Sequence, residues 1–215
     1  MIETGLLLVF FYGILHAFGP DHLTAIADFS IGKQRKRVLM ISAGFAIGHG
    51  VSLYAFAWLL TQFDLSEELL AYGDMIAATV ILAMGLYLLF LVWTDRINLS
   101  VHKHGEKEHM HLWFGKEHHH GKPFLGWLSA SATVGVLMGM GGARGMLVSL
   151  SAISHDEVSA WMIVSFTLGV ALIFIVFGLL IALMNERLMR SKQWVRGGFT
   201  FFGVLSCALG VHLLM

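Results

Sequence analysis

Two histidines and an aspartate crowd around a proline in the stretch His16-Ala-Phe-Gly-Pro-Asp21-His22, within an otherwise apolar run. On an unbroken helix Asp21 would stand about 140° around the axis from His16 and His22 about 240° around, so the three would not share a face. Pro20 removes that obstacle. It has no N–H, its ring clashes with the carbonyl of residue 16, and it drives Gly19 out of helical geometry. Gly19 as cap, Pro20 as first helical residue and Asp21 in the first turn then start a second half-helix whose partial positive end favours the carboxylate. Such a break turns all three side chains inward and is expected to leave the His16 carbonyl without its helical donor. Imidazoles with one carboxylate suit nickel, cobalt, zinc or copper, whereas magnesium and calcium prefer oxygen ligands. His49, in Gly48-His49-Gly50, offers one more imidazole, as a ligand or as a hydrogen bonder to a ligand.

The elements that must hold these residues are membrane spans. The chain has 215 residues, 57% of them hydrophobic and only 13% charged, which excludes an ordinary soluble domain. Six apolar stretches, at about 5–31, 38–60, 74–93, 125–153, 160–184 and 196–214, each approach the roughly 20 residues that cross a hydrocarbon core. The amino terminus has no basic region, so the first stretch is expected to remain as a span. Ionisable side chains and irregular backbone at such depth mark a substrate pathway by default.

Charge is sorted along the chain although its formal net value is zero. Lys33, Arg35, Lys36 and Arg37 follow the first span; Arg96, Lys103, Lys107, Lys116 and Lys122 follow the third; Arg187, Arg190, Lys192 and Arg196 follow the fifth. The other two loops carry Asp64, Glu67, Glu68, Asp156 and Glu157 instead. The positive-inside rule therefore puts the three basic loops in the cytoplasm and both termini outside the cytoplasmic (inner) membrane. The lone Cys207 lies in an apolar stretch and excludes an intrachain disulfide or a thiolate-rich metal site.

The two halves of the chain resemble each other. Gly44-Phe-Ala-Ile-Gly48 aligns with Ser165-Phe-Thr-Leu-Gly169, and Ala83-Met-Gly-Leu-Tyr87 with Ala208-Leu-Gly-Val-His212. At nearly the same shift Gly13-Ile-Leu15 falls on Gly135-Val-Leu137, and Gly19-Pro-Asp-His22 on Gly141-Gly-Ala-Arg144. Repeats of three spans enter the membrane from opposite sides, as in many secondary transporters. The expected fold is therefore an all-α integral membrane protein of about six transmembrane helices in a 3+3 inverted repeat. Its first and fourth helices are expected to be broken, the fourth at Gly139-Met-Gly-Gly-Ala-Arg-Gly145. The division is 1–93 for the first repeat, 94–124 for a cytoplasmic His-rich loop and 125–215 for the second repeat.

His16-Ala-Phe-Gly-Pro-Asp21-His22-Leu-Thr-Ala-Ile-Ala resembles the signature helix of the nickel/cobalt transporter family, in which a histidine is followed after four residues by Asp-His. Phe45-Ala-Ile-Gly-His49-Gly resembles that family's next helix. The likeness covers about the first 60 residues. It implies transport of Ni²⁺ or Co²⁺, with His16, Asp21 and His22 essential and His49 supporting them. Larger members have eight spans, so the resemblance is to the smaller, urease-accessory-like permeases of the wider group.

Three further features bear on function. The loop packs His102, His104, His109, His111, His118, His119 and His120 among Glu106, Glu108 and Glu117, with no apolar periodicity outside Leu112-Trp113-Phe114. This reads as an irregular metal buffer or delivery arm, with a cytoplasmic metallochaperone as candidate partner. Arg144 occupies the repeat position of His22 and acts either as a fixed countercharge, paired with Asp21 or Asp28, or as an interfacial residue. Asp28 faces the cytoplasmic exit or forms the polar end of the first span.

The expected function is a permease for Ni²⁺ or Co²⁺ as substrate, with no other cofactor; uptake is favoured by the Asp-His pattern and efflux by the His-rich loop. The competing readings are an exporter of a small oxyanion, held by helix amino ends and Arg144, and a non-transporting metal sensor. No His-Glu-x-x-His, nucleotide-binding or nucleic-acid-binding motif is present, so an enzyme is not expected.

Overall fold

The computed structural model describes residues 2–63, 67–104, 107–114, 124–153, 159–188 and 191–215, with side chains outside 2–4, 57–58, 60–62, 67–70, 98–125, 127 and 143–158. Among the described residues seven helices carry the fold: α1 (Ile2–Ala17), α2 (Pro20–Ser30), α3 (Arg35–Gln62), α4 (Glu67–Trp93), α5 (Phe124–Ile153), α6 (Ala160–Leu188) and α7 (Lys192–Leu214). A two-stranded hairpin, β1 (Ile97–His104) and β2 (Lys107–Phe114), joins the halves. Among the described residues four helices are long and apolar enough to cross a membrane, and the bent pair α1–α2, taken as one span, makes a fifth. The outward faces are correspondingly apolar, with Leu7, Phe11, Leu15, Leu168, Leu172, Phe201 and Val204 exposed. Trp93 and Trp194 are exposed near the ends of α4 and α7, as befits an aromatic belt at a membrane interface.

Pro20 breaks the first span as its chemistry requires. The axes of α1 and α2 differ by 62°. Gly19 caps α2 with extended backbone, Pro20 takes the first helical position and Asp21 lies in the first turn. The His16 carbonyl is not left empty, contrary to expectation. The chain tightens after α1 so that the Gly19 N–H donates to it at 3.0 Å.

The fourth helix differs from expectation. α5 runs unbroken from Phe124 to Ile153, through Gly139–Gly145. Its glycines serve approach instead of a break: a Cβ at Gly139 would stand 2.8 Å from the His49 carbonyl oxygen and from the Ser52 Cβ. The segment expected to be irregular after α4 is in part a hairpin, pairing His102 with His109, Ser100 with His111 and Val101 with Met110. Ile97, Leu99 and Val101 alternate with Asn98 and Ser100, and Met110 and Leu112 flank His111, and that period of two was obscured by Trp113 and by the density of His and Glu.

α3 lies along α5, α1 along α6, and α4 along α7, with α3 also crossing α6. Glycine permits these approaches, and the contacts come in pairs. Gly13 abuts the backbone of Phe166, and Gly135 abuts that of Phe45. Gly48 meets Ala132, and Gly169 meets Phe10. Gly85 meets Cys207, and Gly210 meets Leu82. A methyl group at any of these glycines would overlap a neighbouring backbone.

One end of the bundle gathers the basic turns. Asn185 of α6, fully buried, donates to the carbonyls of Ser30 at 2.7 Å and Lys33 at 3.0 Å and accepts from the Gly32 N–H at 3.0 Å, so it ties the α2–α3 turn to α6. Beside it, Lys192 and Arg196 of α7 bind Asp95 after α4, at 3.0 and 2.5 Å.

Candidate metal centre

Three imidazoles meet where α2, α3 and α5 enclose the end of α1. His16 closes α1, His22 lies in the first turn of α2, and His49 comes from the middle of α3. One nitrogen from each can be chosen so that all three lie within 4.8 Å of one another. Ring centroids are 4.8 Å apart for His16–His22 and for His22–His49, and 5.7 Å for His16–His49. Three nitrogens on one tetrahedral zinc-sized ion stand about 3.4 Å apart, so the rings need to draw in by about an ångström or more to share it.

His22 and His49 are buried, and His16 is half-buried. Phe166 packs on His16 at 5.2 Å, Phe174 on His22 and His49 at 5.7 Å each, and Phe45 stacks on His49 at 6.0 Å. Nε2 of His16 and both ring nitrogens of His22 and His49 are buried without a hydrogen-bond partner among the described residues. Carbonyls of His16 and Gly135 lie beside His22 and His49 respectively, but not in hydrogen-bonding geometry. Buried imidazole nitrogens normally find partners, so five unsatisfied ones in a single cluster are the signature of donors awaiting a ligand.

Gly142 of α5 completes the enclosure. A Cβ there would lie 3.1 Å from His16 Nε2 and 3.6 Å from His49 Cε1. Gly19 does the same at the break, where a Cβ would lie 2.6 Å from Asp21 Oδ1 and 2.8 Å from His22 Nδ1. Both glycines leave room beside donor atoms, and neither role is readable from sequence.

Asp21 does not join the three-nitrogen cluster. Its side chain is 26% exposed, and Oδ1 stands 3.4 Å from His22 Nδ1. The carboxylate thus stands beside the His22 ring, at the edge of the cluster. Asp28 lies farther along α2, buried against Ser206 of α7. Arg144 belongs to α5 two residues past Gly142, and its side chain lies outside the described residues, as do those of His102, His104, His109 and His111. His118, His119 and His120 lie outside the described residues altogether.

No protein-family model, no curated protein and no solved structure matches this chain.

Proposed function

We propose that the chain is a multi-pass permease of the cytoplasmic (inner) membrane that moves a divalent transition-metal cation, Ni²⁺ or Co²⁺, as its substrate. The observation that carries this reading is the cluster of His16, His22 and His49, buried between apolar helices with its donor nitrogens unsatisfied. Three neutral imidazoles in a dry, aromatic cage bind borderline-soft divalent metals and reject Mg²⁺ and Ca²⁺. A structural role would instead pair those nitrogens with neighbouring groups. The cluster also disfavours an oxyanion, which needs N–H donors or fixed positive charge.

The carrier is a 3+3 inverted repeat of six spans, α1–α2 with α3 and α4 against α5, α6 and α7. Its support is the exchange of close contacts. The shift that aligns the halves converts Gly13–Phe166 into Gly135–Phe45, Gly48–Ala132 into Gly169–Phe10 and Gly85–Cys207 into Gly210–Leu82. The metal site has no such symmetry, since among the described residues its imidazoles all come from the first repeat. In this reading the basic end of the bundle faces the cytoplasm, and there the hairpin puts positions 102, 104, 109 and 111 on one face, a surface that collects metal leaving or entering the carrier. Uptake is the direction we favour.

The test is metal accumulation in cells or vesicles carrying wild type, His16→Ala, His22→Ala or His49→Ala, supplied with Ni²⁺, Co²⁺ or an oxyanion. Wild type is expected to accumulate metal and each variant to lose that capacity. Metal flux that survives all three substitutions overturns the proposal.

A further inference from the structure

A second buried ionisable group lies on the same half-helix as His22 and has no part in the imidazole cluster. Asp28 is only 7% exposed. Its Oδ2 stands 2.6 Å from Ser206 Oγ, while its Oδ1 is buried with no hydrogen-bond partner among the described residues. Ser206 Oγ stands at the same time 2.8 Å from the Phe202 carbonyl oxygen.

Hydrogen counting decides what this arrangement means. A serine hydroxyl has one hydrogen to give. If Asp28 is ionised, the Phe202 carbonyl and the Asp28 carboxylate compete for it, and the second carboxylate oxygen remains bare in an apolar interior. If Asp28 carries a proton, Oδ2–H donates to Ser206 Oγ, and the Ser206 hydrogen goes to the Phe202 carbonyl. Both contacts are then made, and no charge is buried at membrane depth, where an unpaired carboxylate is costly.

The groups around Asp28 leave this choice intact. Among the described residues, burial and the Ser206 hydroxyl are the influences on Asp28 that stand out. Cys207 follows Ser206 on α7. Asn185 of α6 is engaged by backbone groups of the α2–α3 turn.

We propose that Asp28 and Ser206 form a proton-binding site within the span, and that its proton is exchanged with water as the cation crosses. The coupling part rests on the permease reading above; the site itself does not. α2 is the link between the two. It carries His22 in its first turn and Asp28 near its end, about 9 Å farther along one rigid half-helix. A movement of α2 that changes the imidazole cage therefore also moves Asp28 relative to Ser206. The step conserves charge: a proton leaves the Asp28 carboxyl for water, and a carboxylate remains until the next proton arrives.

Infrared difference spectroscopy of the full chain in lipid at neutral pH tests the site. Exposed carboxyls are ionised there. The spectrum of wild type minus Asp28→Asn should show one protonated-carboxyl stretching band. Ser206→Ala should shift that band, because the acceptor of the O–H is gone. A wild-type spectrum without the band overturns the proton site. Proteoliposomes with an entrapped pH dye and a Ni²⁺ gradient test the coupling. Wild type should move protons with Ni²⁺, and Asp28→Asn should lose the metal-driven proton signal while still binding Ni²⁺. Proton movement per Ni²⁺ unchanged in Asp28→Asn overturns the coupling. A wild type that moves no Ni²⁺ overturns the permease reading, and the infrared band still decides the proton site.

Discussion

Gly142 of α5 faces the ring of His16 so closely that a methyl group there would stand 3.1 Å from Nε2. The second half of the chain thus meets the imidazole cage with a bare backbone position, next to a nitrogen that has no hydrogen-bond partner. A bound ion would keep an open coordination position on that side, for water or for a ligand acquired during transfer.

Replacing Gly142 by Ala should press on His16 and weaken Ni²⁺ binding by about tenfold, equivalent to ~1.4 kcal/mol. Gly126→Ala is the control, since a Cβ there meets nothing within 4 Å. Isothermal titration of the detergent-solubilised protein measures both. Equal affinity in the two variants would show that α5 does not border the binding position.

Asp21 stands beside His22 and outside the three-nitrogen cluster, so Asp21→Asn should lower metal affinity by about 10–100-fold, as is usual for a residue behind a ligand. X-ray absorption on the Co²⁺-loaded protein should find the same nitrogen shell before and after the change. Loss of an oxygen scatterer from the first shell would make Asp21 a direct ligand instead.

Metal binding should weaken as the medium becomes acid, because each imidazole must be neutral to ligate and protons compete for the same nitrogens. An oxyanion site built on these histidines would behave in the opposite way, gaining affinity as the rings become charged. Binding titrations of Ni²⁺ and of a test oxyanion, run from pH 8 to pH 5 in equal steps, separate the two by the sign of the slope.

The exchanged glycine contacts predict matched damage in the two halves. Gly13→Ala, Gly135→Ala, Gly48→Ala and Gly169→Ala should each destabilise the protein by about 1–3 kcal/mol through overpacking. Gly5→Ala and Gly197→Ala, which meet open space, should have little effect. Thermal unfolding in one detergent gives the ranking. Tolerance in one half with damage in the other would count against interlocked repeats.

Outside the membrane, hydrogen bonding from Lys192, aided by the charges of Lys192 and Arg196, holds the Asp95 carboxyl below its ordinary value of 3.8. A folded-state value below the unfolded one adds stability at neutral pH, and that stability is lost as pH falls through the lowered value. Since Asp95 is exposed, the effect should be small and weakened by salt. Melting curves of wild type and Asp95→Asn should differ slightly at pH 7 in low salt and converge at strongly acid pH or in high salt.

Much of this was legible in the sequence where local chemistry dictates the outcome. Pro20 after Gly19 breaks a helix wherever it stands, so the bend and the meeting of His16 with His22 follow from a few residues. The long apolar runs similarly fix the helices. What was hidden depends on rotation and on distant partners. Adjacency of Asp21 to His22 does not say which of them turns into the cage. The glycines of 139–145 look like a break in isolation, yet they are spaces for His49, Ser52 and His16 on other helices. Ser206 lies 178 residues from Asp28, and nothing near either residue announces their contact. Period-two alternation in the hairpin is confined to Ile97–Val101 and Met110–Phe114, is blurred by Trp113, and is masked by the density of His, Lys and Glu around it.

The crossed packing of α1 on α6 and α3 on α5 also bears on how the protein is made. A ribosome delivers His16, His22 and His49 early, but α5 and α6, whose Gly142, Phe166 and Phe174 wall the cage, arrive only after the hairpin. Until then the glycines of α1 and α3 lack the helices they pack against. A chain that stops early therefore holds its three histidines without the walls that α5 and α6 supply.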